Sequence, residues 1–175
     1  MPLARKFVVD ESVPQVFHCV SRCIPQAVLT GIDPVSGKRK THRKKWIREH
    51  LEKLQGAFAV EVYSFAVTPR ELHVLLRTNP KAARRWSRRE VAQRWLALFP
   101  PHYQPRYIER DEIMAKAVAQ LAKDKERVEL RRQRLASVSW FMRCLNEKVA
   151  RRMNKEDGVR GQVWKRRFIC CRLDL

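Results

Sequence analysis

The stretch VYSFAVTPRELHVLLRT, residues 62–78, decides how this chain is read. Two apolar runs rich in β-formers flank the polar residues Thr68, Pro69, Arg70 and Glu71, a pattern that predicts a hairpin with a short connection. Side chains alternate across a strand, so Glu71 and His73 fall on one face at the start of the second run. The shared face asks for a reason, and a functional pairing of the carboxylate with the imidazole is one. The plainer alternative is a hydrogen-bonded strand histidine next to a turn glutamate.

Upstream, QVFHCVSRCI (15–24) alternates apolar and polar residues and predicts another strand. TGIDPVSGKRK (30–40), with Gly, Asp-Pro and Ser-Gly, is a loop. HRKKWIREHLEKLQGAF (42–58) spaces Trp46, Ile47, Leu51, Leu54 and Phe58 along one face of a helix whose outer face is basic. Downstream, Ser87 followed three residues later by Glu90 is a capping-box signature, opening a helix with Val91, Trp95 and Leu98 as its apolar stripe. Three prolines in PPHYQP (100–105) break the pattern, and residues 109–135 predict one long, charge-laced helix. SVSWFMRCLNEKVARRMN (137–154) predicts a further helix with Phe141, Leu145, Val149 and Met153 on one face. GVRGQVWKRRFICC (158–171) is a loop entering a last strand. This order of elements is an α+β pattern, an antiparallel sheet with helices packed on one face. No linker divides it, so residues 1–175 are expected to form a single domain.

With 45% hydrophobic and 32% charged residues the chain is expected to fold around a real core. No apolar run approaches bilayer length and MPLARKFVVDES (1–12) lacks a signal-peptide apolar stretch, so a cytoplasmic protein with no membrane partner is expected. Five cysteines at irregular spacing do not form a disulfide framework and are expected to pack as small hydrophobes. The charge is more informative. Lys38 to Lys53 carries eight basic and two acidic residues, Arg77 to Arg94 seven and one, and Ser137 to Arg172 ten and three. These three blocks hold nearly all of the net +20, which points to a polyanionic partner lying in a basic groove.

FHCVSRC (17–23), YSFAVTPRELHVLL (63–76) and SWFMRCLNEKVARRMNKEDGVRGQVWKRRF (139–168) together resemble the small HUH-class tyrosine transposases, in particular the REP-associated tyrosine transposase branch. The resemblance runs from about Val16 to Phe168 and is most specific in the last of the three segments. It implies a ferredoxin-like sheet, a His-x-His pair holding Mg²⁺ or Mn²⁺ against the scissile phosphate, and a helix-borne Tyr as nucleophile. The implied substrate is single-stranded DNA folded into a hairpin. In TPRELHVLL (68–76) the first histidine of that motif is Glu71 and the second is His73, so Glu71 and His73 are the expected metal ligands. The family Tyr aligns with Val149 and a further ligand position with Met153, so no catalytic nucleophile is assigned. Tyr63, and the pair Tyr103 and Tyr107 around Pro105, are the alternative tyrosines. The resemblance also implies more chain past Leu175, so either a C-terminal truncation or a dispensable missing part is expected.

The phosphate contacts expected from the sequence are Arg43, Lys44, Lys45, Arg48, Arg70, Arg143, Lys148, Arg151, Arg152, Lys165, Arg166 and Arg167. Trp164 is expected either to stack on an unpaired base or to plug the core beside Phe168. Asn146 and Asn154 either read base edges or brace helices. The expected function is a DNA-binding protein of the transposase family, acting in DNA transposition or a domesticated derivative of it, whose tyrosine nicking is lost. Two alternatives stand beside it: a metal-dependent nicking enzyme with an unconventional nucleophile, and an RNA-binding or basic interaction module. Both a monomer and a homodimer are compatible with the sequence.

Overall fold

A computed structural model describes residues 12–101 and 109–174. Its elements run β1 (Gln15–Arg22), α1 (Arg43–Ala57), β2 (Val60–Val67), β3 (Glu71–Thr78), α2 (Pro80–Arg85), α3 (Arg88–Leu98), α4 (Arg110–Lys123), α5 (Lys125–Leu135), α6 (Val138–Asp157) and β4 (Ile169–Leu173). The strands form one antiparallel sheet in the order β2-β3-β1-β4. Two split β-α-β units interlock here: β3 lies between β1 and β2, and β1 lies between β3 and β4. That is the ferredoxin-like α+β arrangement. Helices α2 to α5 are inserted into the second crossover, ahead of α6.

Alternation along the two central strands assigns the faces. Gln15, Phe17, Cys19 and Ser21 of β1 and Leu72, Val74, Leu76 and Thr78 of β3 are buried under the helices, while the residues between them are partly or fully exposed. Helix α1 brings Trp46, Ile47, Leu51 and Leu54 to the core, and α6 brings Phe141, Met142, Leu145, Val149 and Met153. The capping box is made in part as expected: Ser87 Oγ accepts from the Glu90 amide at 3.1 Å, while the Glu90 carboxylate turns to Arg94 at 2.9 Å. The single long helix expected over 109–135 is instead two. Asp124 closes α4 and caps α5 by accepting from the Arg127 amide at 2.9 Å, which lets the chain change direction there. Among the described residues, no helix is long and apolar enough to cross a membrane.

One cation lies inside the helical layer. The side chain of Arg43 is 0% exposed, donates to the Val28 carbonyl at 2.6 Å, and pairs with Glu156 at 3.0 Å and Asp157 at 2.5 Å. Lys40 reaches Asp157 at 2.5 Å and His42 reaches Glu156 at 2.9 Å. The loop before α1 is thereby clamped to the last turn of α6. Burial opposes ionisation of both carboxyls, but the bonds from His42 and Arg43 to Glu156, and from Lys40 and Arg43 to Asp157, hold their pKa values below the ordinary 4.5 and 3.8. A depressed carboxylate stabilises the fold above its ordinary pKa and loses that contribution as pH falls through the folded value. Replacing Arg43 by Met is expected to cost about 3 kcal/mol, because both carboxylates keep other cations and about a quarter of their surface in water. Urea unfolding at pH 7 should show that loss, and between pH 5 and pH 3 the variant should lose less stability than the wild type.

Candidate nucleic-acid interface

The open face of the sheet carries Glu71 and His73, and it ties them into a chain of four residues. Arg22 Nε lies 2.6 Å from Glu71 Oε1, His73 Nε2 lies 3.0 Å from Glu71 Oε2, and His18 Nε2 lies 3.1 Å from His73 Nδ1. The two imidazoles stack with centroids 5.3 Å apart. The hydrogen bond to His73, with the guanidinium of Arg22 beside it, holds the Glu71 carboxyl below its ordinary pKa. As arranged, this set does not fit Mg²⁺ or Mn²⁺. One carboxylate oxygen already carries a guanidinium, both nitrogens of His73 face partners, and a hard divalent cation asks for about six oxygen-rich ligands. A metal here would have to displace Arg22. The pair expected from the hairpin is therefore brought together, and β1 adds two partners, His18 and Arg22.

Val149 lies on the other side of the sheet. Ser21, opposite Leu72 in the register, points to the covered face and exchanges hydrogen bonds with Asn146 of α6, at 3.0 and 2.8 Å. Glu71 and His73 pair with Arg22 and Val20, whose side chains point away from α6. Val149 is fully buried on α6 among Phe141, Leu145 and Met153. A nucleophile at this position and the Glu71–His73 pair are separated by the sheet itself. Met153, also fully buried on α6, is no nearer. Tyr63 is exposed at an irregularity in the β2–β3 pairing, and Tyr103 and Tyr107 lie outside the described residues. Val149→Tyr is expected to form no covalent adduct with hairpin DNA on a denaturing gel and to lower stability by about 1–3 kcal/mol through overpacking. An adduct would mean that α6 changes face.

The N-terminal half of α6 and the segment before β4 form a groove of about 690 Å³ lined by Trp140, Arg143, Asn146, Trp164, Arg166 and Arg167 among others. The segment is set in place by main-chain bonds: Ile24 N donates to Val163 O at 2.9 Å and Lys165 N to Arg22 O at 2.8 Å. Trp164 lies half-buried with Nε1 donating to the Asn146 carbonyl at 2.8 Å, so one edge is fixed and the ring lines the groove. Glu147, the one acid along its wall, is paired with Arg151 at 2.5 Å. Three expected contacts, Arg143, Arg166 and Arg167, therefore share a groove with Trp164. The amide of Asn146 donates to Ser21 at 2.8 Å and that of Asn154 to Gly161 O at 2.9 Å, so both brace the fold, Asn146 at the wall of the groove.

A second basic hollow runs along the later turns of α6. Lys148, Arg151, Arg152 and Lys155 line about 580 Å³ together with Glu156, which is paired with Arg43, and Lys148 and Arg152 also face Trp46, His50 and Lys53 of α1. Arg152 stacks 4.8 Å from the Trp46 ring. His50 is held below its ordinary pKa, mainly by burial, and sits 3.3 Å from the Cys144 carbonyl. Helix α1 contributes differently from expectation. Arg43 is withdrawn into the clamp, since a buried guanidinium with two carboxylates offers no phosphate contact. Lys44 and Lys45 are exposed, and Arg48 leans over Phe65 of β2, 5.8 Å from its centroid, away from the α6 hollow. Arg70 donates to the Pro25 carbonyl at 2.8 Å at the hairpin end of the sheet. Lys53 and Trp46 were not among the expected contacts. Helical spacing alone carries that signal, because both lie on the α1 face that α6 adjoins.

No protein-family model and no curated protein matches this chain.

Proposed function

We propose that this protein binds single-stranded, hairpin-forming DNA in the groove between α6 and the 164–168 segment, as a transposase-type protein without tyrosine nicking. One observation carries the reading: two half-buried tryptophans and three arginines line a single open groove whose only acid is already paired. Indole faces accept any unpaired base, and guanidinium groups take phosphates in a bidentate geometry. The hollow bearing Lys148, Arg152 and Lys155 continues the same positive strip along α6, where a hairpin stem finds backbone contacts. The resemblance of residues 16–168 to HUH-class tyrosine transposases supports DNA as the polyanion. Val149, buried on the face away from Glu71 and His73, supports binding without covalent chemistry.

Fluorescence anisotropy on a labelled DNA hairpin with a single-stranded foot, across a salt series, tests the proposal. Tight binding at low salt is expected, with a log–log slope of about −0.7 for each single-strand phosphate contact. Changing Arg143, Arg166 and Arg167 together to Gln should flatten that slope by about 2. Trp164→Leu should weaken the footed hairpin about 5- to 100-fold and leave blunt duplex binding unchanged. An RNA hairpin that competes better than its DNA counterpart would replace the DNA reading by the RNA one. Equal affinity of wild type and triple variant would remove the groove from the binding path.

A further inference from the structure

Beyond the groove, Trp140 is also the first rung of an aromatic and cationic ladder on α3, α5 and α6. Arg143 lies 4.9 Å and Arg134 4.4 Å from the Trp140 ring. Trp95 follows, 5.8 Å from Trp140, with Arg131 at 4.3 Å and Arg134 at 5.9 Å from its centroid. Phe99 ends the ladder, 4.4 Å from Trp95 and 38% exposed.

Arginines stacked on tryptophans are common structural devices, and neighbouring positions show what such a device looks like when complete. Arg94 stacks on Trp86 at 4.1 Å and also bonds Glu90 and the Gly56 carbonyl. Arg132 bonds Glu129 and the carbonyls of Ala83 and Trp86, at 3.0, 2.6 and 2.7 Å. Arg131, Arg134 and Arg143 are different. Among the described residues none of the three has a carboxylate within ion-pair distance. The Nε of Arg131 is buried with no hydrogen-bond partner. Burial, and then the charges of Arg134 and Arg127, pull the pKa of Arg131 down. Three guanidinium groups are thus held together on two indoles with no anion to balance them. That arrangement costs free energy in the unbound protein, and an anion arriving on it would recover the cost.

We propose that this ladder is a second subsite on the DNA path, taking the phosphates of a single strand that leaves the groove over Trp140 and continues across α5 toward Phe99. Arg134 and Arg131 are the phosphate ligands, and Trp140 and Phe99 offer ring surface to the intervening bases. The inference rests on the groove reading, because the ladder shares Trp140 with it.

Oligo-dT strands of about 4 to 16 nucleotides, the span of known single-strand sites, provide the test. Wild-type affinity should keep rising after the groove is filled, and the salt slope should steepen by about 1.4 over the same lengths, as two further phosphate contacts require. Arg134→Gln should halve that steepening and Arg131→Gln with Arg134→Gln should abolish it, while binding of the shortest strand stays within about 2-fold. Arg134→Lys, which keeps the charge, should retain the slope. Affinity and slope that level off in the wild type once the groove is filled would overturn the proposal without recourse to any variant. A length-dependent gain that survives in the double variant would overturn it too. If wild type binds no strand of any length, the groove reading fails and this one fails with it.

Discussion

A guanidinium with no exposed surface holds the helical layer together. Arg43 joins Val28 in the loop before α1 to Glu156 and Asp157 at the end of α6, over a hundred residues away in the chain. Removing the Arg43 guanidinium from water is expensive, and what offsets it is the set around it: the Val28 carbonyl and two partly exposed carboxylates, which Lys40 and His42 also reach. The consequence is geometric. With the C-terminal turn of α6 fixed by this clamp and its middle fixed by the Ser21–Asn146 exchange, the helix has no freedom to slide or roll. Its outward residues Arg143, Lys148, Arg151, Arg152 and Lys155 are therefore presented along a fixed line. A basic helix held this way binds with little ordering cost.

The sheet imposes a second constraint, because a period of two permits no compromise. Once Phe17, Cys19, Leu72, Val74 and Leu76 face the helices, His18, Arg22, Glu71 and His73 must face the other way. Any chemistry at the four-residue chain and any side chain on the inner stripe of α6 are thus kept apart by a full layer of backbone. The open face, with the His18–His73 stack and its ion-paired end, is electrically quiet compared with the helical side. Charge and aromatic surface are concentrated on α3, α5, α6 and the 164–168 segment, which is where the proposed DNA path runs.

Much of this was legible in the sequence, for reasons that differ by element. The hairpin and β1 declare themselves through alternation, and α1 and α6 through apolar spacing, so the α+β order follows. The Glu71–His73 proximity also follows, since it depends only on strand period. Their partners do not: His18 and Arg22 share a face by the same parity, but nothing local says that β1 lies beside β3 in this register. Arg43 misleads for a related reason. It sits in a run of basic residues, and only the return of α6, bringing Glu156 and Asp157, turns it from a surface cation into an interior one. The break at Asp124 had a local signal, a helix-capping residue within a charged run, that the density of charges around it obscured.

Charge counting fails most instructively on α5. Arg131 and Arg134 lie outside the three blocks that hold nearly all the net charge, because residues 109–135 carry eight basic and six acidic residues, which nearly cancel in a running sum. In space the cancellation is uneven. Glu129 is taken by Arg132, and Asp124 lies at 4.0 Å from Arg127, on the far side of the turn it caps. What remains is a pair of guanidinium groups aimed at indole rings from two other helices, Trp95 on α3 and Trp140 on α6. A sum over sequence measures how much polyanion a chain attracts in total. The side chains left without a partner, after the acids have chosen theirs, are the ones that tell where a strand would lie.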